Sequence, residues 1–178
     1  MNLAGWLLKK AGWTFKCNIP LVKKCVVAIA PHTSNWDFIV GELSIRSLGM
    51  KAGFLMKDTW FFFPLGCFMR SIGGIAVKQS KSTRVTDQVV QMFNTSEELI
   101  VAVTPEGTRS PRQQWRTGFL HIAHEAHVPI VLAYLDYGTR TACIDRIFEP
   151  TGDIDADMSS IKQYFSQFTA RYPEKFIY

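Results

Sequence analysis

The chain has 178 residues, a length that suits one folded domain able to bury a sizeable core without disulfides or metal ions. Hydrophobic residues make up 47% of it and charged residues 20%, which excludes a disordered, collagen-like or coiled-coil chain. The 13 Phe and five Trp exceed what a small core usually needs. We therefore expect part of the apolar surface to face lipid.

Cysteine usage and the amino-terminal sequence indicate an intracellular protein. The four cysteines, Cys17, Cys25, Cys67 and Cys143, lack CxxC spacing and are too few for a disulfide scaffold. The opening MNLAGWLLKKAGW has no signal-peptide pattern, and no run of 18 apolar residues occurs. We expect reduced core cysteines and no membrane-spanning segment.

Positive charge is concentrated in the first half of the chain. Residues 1–85 hold 12 Lys+Arg against 3 Asp+Glu, whereas residues 86–178 hold 8 against 12. A basic, aromatic-rich half suits anionic lipid, nucleic acid or an acidic carrier protein, and a merely lysine-rich soluble face is the plain alternative. Because no recognition motif accompanies the lysines, we predict no nucleic-acid partner.

The predicted elements begin with an amphipathic helix within residues 1–16. Leu3, Trp6, Leu7 and Trp13 follow helical spacing among lysines, as in a helix that lies in the headgroup layer of a membrane. Lys10 interrupts the apolar stripe, so a helix packed on the domain fits equally well.

Strands and helices alternate through the rest of the chain. In chain order the predicted strands are Cys25–Ala30, Gly53–Met56, Ile75–Val77, Leu99–Val103, Ile130–Tyr134 and Ala142–Phe148, and the predicted helices are 36–48, Ser82–Phe93, Trp115–Ala126 and Ser159–Arg171. This alternation predicts an α/β fold with a mixed, mainly parallel sheet flanked by helices. No linker or repeat divides the chain, so we expect a single domain over residues 1–178.

The segment Gly53–Val77 is unusually rich in aromatic residues. This stretch fits neither a regular strand nor a regular helix. It contains, close together in the sequence, Trp60, Phe61, Phe62, Phe63, Pro64, Gly66 and Phe68. A loop that contacts lipid or an acyl chain would explain the aromatics, and a buried aromatic cluster is the alternative.

Two polar clusters follow predicted strands, and the first contains His32 and Asp37. The strand Cys25–Ala30 ends just before His32, and Thr33, Ser34 and Asn35 provide helix N-cap side chains. Ligands bind at this edge of open α/β sheets. An imidazole bonded to a carboxylate can accept a proton from an alcohol near neutral pH, although a His and an Asp at this spacing are weak evidence alone.

The second cluster reads Thr104-Pro105-Glu106-Gly107-Thr108-Arg109-Ser110 and follows the strand Leu99–Val103. Gly107 allows close backbone approach, and Arg109 presents a planar guanidinium suited to a phosphate or carboxylate. A surface turn with solvated arginines is the alternative.

Together these clusters resemble the glycerolipid acyltransferase family, which includes the 1-acylglycerol-3-phosphate acyltransferases. His32–Asp37 fits the family's HxxxxD motif, and residues 105–110 read PEGTRS. Gly73–Val77 (GGIAV) is similar to the second family block, of GGIPVDR type, and Val128–Val131 (VPIV) to the fourth. The four blocks occur in the family order over roughly residues 25 to 135.

The resemblance implies a glycerol-3-phosphate acyltransferase-like fold and roles for individual residues. His32 would be the general base that deprotonates the acceptor hydroxyl, and Asp37 would orient it. Glu106, Gly107, Thr108 and Arg109 match the acceptor-binding block, where Arg109 would hold an anionic head and backbone N–H groups could stabilise the oxyanion. The acyl donor would be a thioester of acyl carrier protein or coenzyme A, with no cofactor and no metal.

One position departs from the family pattern. Where the second block ends in an arginine that helps bind the acceptor phosphate, this chain has Gln79. Lys78, Lys81 or Arg70 could supply the charge, although a lysine does not offer a bidentate fork. The acceptor could therefore be a lyso-lipid with another head group, including an amino-acid lipid with a free hydroxyl.

Two other interpretations fit parts of the same sequence. A non-catalytic membrane or carrier-binding module could keep the same fold, and His121, His124 and His127 have the spacing of a weak candidate metal site, although no cysteine or carboxylate set accompanies them. We expect instead an acyltransferase at the cytoplasmic face of a membrane, attached peripherally through residues 1–16 and the aromatic segment.

Overall fold

Strands from the whole length of the chain join into one mixed sheet. The computed structural model describes residues 2–79 and 84–178, so Lys81 lies outside the described residues. Within them the strands are β1 Thr14–Cys17, β2 Lys24–Ala30, β3 Gly53–Lys57, β4 Gly74–Val77, β5 Leu99–Val103, β6 Ile130–Asp136 and β7 Thr141–Phe148. The helices in the same residues are α1 Leu3–Lys10, α2 Asn35–Ser47, α3 Leu65–Ser71, α4 Val85–Thr95, α5 Gly118–Glu125 and α6 Ile154–Phe165.

The sheet has the order β1-β7-β6-β2-β5-β3-β4. The pairs from β6 to β4 are parallel, β7 runs antiparallel to β6, and β1 is parallel to β7. The central strand β2 is apolar throughout most of its length because both its faces are covered, as parallel sheets require. The predicted α/β fold with a mixed, mainly parallel sheet is confirmed.

Helices cover the sheet on both faces. On one face α4, α5 and α6 pack their apolar sides on β2, β5 and β6, with Phe93, Leu120 and Phe165 fully buried. On the other face α1 and α2 pack together, and Leu8 and Val40 are buried beside the β6–β7 hairpin. The second face carries the region in which the two sequence clusters meet.

The amino-terminal region differs from the predicted helix over residues 1–16. The helix α1 ends at Lys10, and Thr14–Cys17 forms the edge strand β1 beside β7. Strand β1 has only four residues and is only partly buried, so its sequence lacks the apolar pattern from which a strand can be predicted. One face of α1 packs on α2, whereas Leu3, Trp6 and Leu7 on its other face stay exposed.

The aromatic segment contains a helix that the sequence did not predict. After β3 the chain forms a 3₁₀ turn at Asp58–Trp60 and then α3, before β4 begins at Gly74. Its rings do not form a buried cluster, because Trp60, Phe62, Phe63 and Phe68 are exposed, Phe63 to 86%. We call these four residues the aromatic surface. None of the helices in the described residues is long and apolar enough to cross a bilayer.

Candidate active site

Three neighbouring parallel strands bring polar residues to one edge of the sheet. The strands β6, β2 and β5 lie side by side, and their carboxyl ends are followed by Tyr137, His32 and Glu106 respectively. Carboxyl ends of parallel strands share an edge, which is where ligands bind in open α/β sheets. The topology alone therefore places these three side chains in one small region.

The turn after β2 is shaped by the start of helix α2. Ser34 is the N-cap, and its hydroxyl accepts a hydrogen bond from the Trp36 N–H at 3.1 Å. The Asp37 carboxylate in turn accepts a hydrogen bond from the Ser34 N–H at 2.7 Å. This capping box fixes the turn and brings Asp37 back toward His32. The helix N-terminus also favours the negative charge of Asp37.

His32 and Asp37 lie within reach of one another. The Nδ1 atom of His32 is 3.4 Å from Oδ2 of Asp37, whose side chain is 2% exposed against 18% for His32. The same oxygen accepts hydrogen bonds from the backbone N–H groups of Thr33 and Ser34, each at 2.7 Å. With Nδ1 turned toward the carboxylate, Nε2 is the ring nitrogen left to take a proton from a substrate.

Asp37 is held as a carboxylate although it is buried. Burial acts to raise its pKa, but hydrogen bonds from His32, Tyr137 and the Ser34 and Thr33 backbone outweigh burial and lower the pKa below its usual range. A carboxylate that stays ionised in a buried position can stabilise a protonated imidazole at short range.

Tyr137 is a component of this region that the sequence did not reveal. Its hydroxyl donates to Oδ1 of Asp37 at 2.6 Å across 100 residues of chain, and burial together with Asp37 raises the pKa of Tyr137 to about 12. The available signal was its position directly after strand β6, the parallel neighbour of β2.

Glu106 lies beneath the turn instead of in open solvent. The residue is 3% exposed, and its Oε1 accepts a hydrogen bond from the backbone N–H of His32 at 2.6 Å. Burial raises the pKa of Glu106 to about 8, with a further contribution from the nearby Asp37 charge. Bonded to the His32 backbone, the Glu106 side chain positions the loop, and its predicted contact with the acceptor stays a prediction.

The rest of the PEGTRS sequence forms a turn that presents Arg109. Gly107 has φ +66°, and a Cβ there would lie 2.7 Å from Cγ of Arg116. Its N–H donates to the Thr104 carbonyl at 2.9 Å, so this N–H is engaged within the turn. Thr108 accepts from the Ser110 N–H at 3.2 Å, which further shapes the turn.

A groove of about 810 Å³ joins these residues to an apolar channel. Its polar end is lined by His32, Asp37 and Arg109. Helix α2 and strands β3 and β5 form its walls, which are mostly apolar. The apolar lining residues are Phe38, Ile39, Gly41, Ile45, Ala52, Phe54, Leu55, Met56, Ala102 and Val103, and α2 also contributes the polar Asn35 and Glu42. A mostly apolar groove that also contains a few polar groups suits an apolar ligand with a reactive polar group.

Lys78 is not brought to this groove. It follows β4, the edge strand that is separated from β2 by β5 and β3, or about 14 Å at the usual strand spacing. Its backbone is held by the Gln88 side chain through hydrogen bonds of 2.9 and 2.8 Å. Gln79, which replaces the family arginine, is exposed beside it.

The histidines of α5 do not form a metal cluster. Among the described residues there is no group of three or more His, Cys, Asp or Glu side chains placed to hold a metal ion. His121 and His124 are exposed on α5, and His127 lies beyond its end with φ 51°.

Comparisons with known proteins agree with this architecture. A family model described as Acyltransferase matches residues 13–135. The chain belongs to the acyltransferase family. Acyl transfer is therefore its reaction class.

The fold is similar to that of the 1-acyl-sn-glycerophosphate (LPA) acyltransferase PlsC from Thermotoga maritima, known from a crystal structure. The two share 18% identity with a TM-score of 0.61, and the match covers 95% of this chain and 78% of that one. At this identity the likeness concerns the fold. A comparison with curated protein sequences gives no significant match.

Proposed function

We propose that this acyltransferase moves a fatty acyl group from a thioester donor, acyl carrier protein or coenzyme A, to the hydroxyl of a lyso-lipid or glycerol-phosphate-type acceptor. The observation that carries the proposal is one groove that combines a paired imidazole and carboxylate with mostly apolar walls. The apolar part would hold the acyl chain and bring the thioester carbonyl to His32.

The reaction divides into two steps that need only groups on this chain. Nε2 of His32 takes the proton of the acceptor hydroxyl as the oxygen attacks the thioester carbonyl. The tetrahedral intermediate then expels the thiolate, which takes the proton back from the imidazolium. Asp37 stabilises the imidazolium between the two steps, so an ester and a free thiol form without an acyl-enzyme.

Arg109 is the group best placed to bind the acceptor. It is exposed and lines the polar end of the groove together with His32. A guanidinium there can bind a phosphate or carboxylate with two hydrogen bonds. Gln79 stands where the second family block has an arginine that helps bind the acceptor phosphate. We therefore include lyso-lipids with other head groups, amino-acid lipids among them, in the acceptor class.

A direct assay tests the proposal. The purified protein is incubated with acyl-coenzyme A or acyl carrier protein and a panel of lyso-lipids, free thiol is measured, and products are identified by mass spectrometry. We expect thiol release that depends on an acceptor, with a matching acylated product. A panel that gives no acceptor-dependent thiol with either donor contradicts the proposed function.

Peripheral membrane binding through the aromatic surface belongs to the same proposal. Trp60, Phe62, Phe63 and Phe68 are exposed, and Lys57 and Arg70 beside them suit anionic lipid headgroups. The basic first half of the chain would favour either this surface or an acidic carrier protein. The cytoplasmic face of a membrane follows as the proposed location.

Vesicle co-sedimentation tests the membrane contact. With phosphatidylglycerol–phosphatidylcholine vesicles, the double variant Phe62→Ser/Phe63→Ser should bind at least about tenfold more weakly than the original chain. Ile147→Ser removes an exposed apolar side chain from β7 and should leave binding unchanged. Equal binding by the double variant and the original chain would remove the aromatic surface from the proposal.

A non-catalytic binding module of the same fold is the competing function. Its only specific support is Gln79, which departs from the family pattern. Vesicle binding without turnover on the whole panel would favour it.

A further inference from the structure

We propose that Tyr137 is a positioning residue that orients the Asp37 carboxylate for His32. This inference rests on the proposed function, since it concerns the same base. The sequence clusters do not include Tyr137, and its hydroxyl reaches Asp37 from the end of another strand.

The two oxygens of Asp37 have divided roles. Oδ2 faces Nδ1 of His32 and accepts the Thr33 and Ser34 backbone N–H groups. Oδ1 accepts the Tyr137 hydroxyl at 2.6 Å and the Ser34 hydroxyl at 3.1 Å. With donors on both oxygens, the carboxylate cannot rotate about its terminal bond without losing hydrogen bonds in a buried place.

Tyr137 is itself held in place on three sides. Its ring meets Trp13 edge-on, with centroids 4.9 Å apart, and its backbone N–H donates to the Thr169 carbonyl at 2.9 Å. The Arg171 guanidinium lies 5.9 Å from the ring centroid. A side chain fixed by the amino-terminal and carboxyl-terminal segments provides a rigid donor to Asp37.

The hydroxyl also limits how strongly Asp37 holds a proton on His32. A donor on Oδ1 draws negative charge away from Oδ2, so Asp37 stabilises the imidazolium less than an unbonded carboxylate would. The other charged or titratable groups around this pair are Glu106 below the turn, Glu42 and Arg109 in the groove, and Arg171 beside Tyr137. Of these groups, Arg171 shares a hydrogen bond with the Tyr137 hydroxyl, so removing the hydroxyl also frees the guanidinium, whereas Glu106 stays bonded to the His32 backbone.

The variant Tyr137→Phe tests the inference through the pH dependence of kcat/KM. Without the donor, His32 should retain its proton to higher pH, so the midpoint of the acidic limb should rise by about half a pH unit or more. The loss of carboxylate orientation should also lower kcat about tenfold on the plateau. A uniform loss of activity with an unmoved midpoint would indicate a structural role only and overturn the inference.

Tyr164→Phe is the matched control. The Tyr164 hydroxyl donates to Asp145 at 2.8 Å, so this change removes the same kind of Tyr–Asp bond away from the groove. It should leave the pH profile in place. A shift equal to that of Tyr137→Phe would contradict a specific role for Tyr137.

A titration that needs no turnover separates this inference from the proposed function. The pH at which the His32 ring signals titrate in NMR spectra, assigned by their loss in His32→Ala, should be higher in Tyr137→Phe. Replacing Tyr137 with 3-fluorotyrosine keeps the ring and the hydroxyl donor, so this variant should fold like the original chain. Because a more acidic phenol donates a stronger hydrogen bond, the midpoint of the His32 titration should be lower in this variant. Unchanged midpoints in both variants overturn the inference even if the chain is an active acyltransferase.

Discussion

Among the described residues, a buried aspartate lies near the start of two helices, and one of these aspartates faces a histidine. Asp37 near the start of α2 and Asp157 near the start of α6 are 3% and 2% exposed. Asp157 accepts two hydrogen bonds from Thr151, one from its backbone N–H and one from its hydroxyl, and so organises a loop. Asp37 does the same for its own turn and additionally lies 3.4 Å from His32 at the end of a groove.

Burial and capping by themselves do not mark a reactive carboxylate. Both aspartates stabilise a helix start, which is a common structural role. What distinguishes α2 is its place beside the carboxyl ends of β2 and β5, which supply His32 and the Arg109 turn. Changes at α2 should therefore alter chemistry and ligand choice, whereas the same changes at α6 should alter stability alone.

The largest expected effect comes from replacing each aspartate by asparagine. Asp37→Asn should lower kcat/KM by at least about 100-fold, because the imidazolium loses its carboxylate partner. Asp157→Asn should reduce the free energy of unfolding without a comparable change in thiol release. Denaturant titration and thiol assays on both variants check this, and similar catalytic losses in the two would erase the distinction.

Next in size is the effect of removing the cation of the groove. Arg109→Ala should raise the KM for an anionic acceptor roughly 10- to 100-fold, since a charge-assisted contact is lost. Arg112→Ala changes a neighbouring arginine outside the groove lining and serves as control. If the two variants show the same acceptor KM, Arg109 has no special part in binding.

A smaller change should alter which acyl chains are used. Gly41 lies on α2 in the groove wall, and a Cβ there would meet nothing within 4 Å. Gly41→Ala should stabilise the helix by up to about 1 kcal/mol and leave chain preference nearly unchanged. Gly41→Leu should fill the channel and shift preference toward shorter acyl donors, measured as kcat/KM across a donor series. An unshifted series in Gly41→Leu would mean that the acyl chain lies elsewhere.

The smallest effect on catalysis is expected at Glu106. With its pKa raised to about 8 by burial, the side chain is mostly protonated at pH 7, and Glu106→Gln keeps an oxygen that can accept the His32 N–H. Most activity should remain in Glu106→Gln, whereas Glu106→Ala, which leaves the His32 N–H without this acceptor, should lose a larger share of it.

The stability of the Glu106 variants should depend on pH in a defined direction. An acid whose pKa is higher when folded contributes stability that is present below its ordinary pKa and lost as pH rises through the folded value. The original chain should therefore lose stability relative to Glu106→Gln between pH 4.5 and about 8, by an amount of the order of a few kcal/mol. Denaturant midpoints that run parallel across this window would contradict a buried, protonated Glu106.

The sequence predicts the centre of this fold better than its margins. The strand Leu99–Val103 was predicted with its observed bounds, and β2 differs by one residue, because continuous apolar runs in parallel sheets give a strong signal. Strand β1 and helix α3 were not predicted, because they are short and depend on tertiary contacts. Helix α6 begins at Ile154, earlier than the predicted Ser159, because Asp153 caps it.

The site could be predicted only as far as local motifs reach. The pairing of His32 with Asp37 follows from a four-residue loop and a helix cap, both visible in the sequence. The Tyr137 contact joins residues 100 positions apart and requires the order of three strands. Lys78 is absent from the groove lining because it follows β4, which is an edge strand. Its position beside the second family block in the sequence does not reveal that strand order.

The variant His32→Gln removes the proposed base for acyl transfer. Acceptor-dependent thiol release is measured for this variant beside His124→Gln, which changes an exposed histidine on α5. Activity should fall about 10²- to 10⁴-fold in a folded His32→Gln protein and should not fall in His124→Gln. Retention of most activity by a folded His32→Gln protein would contradict the role of His32 as the base.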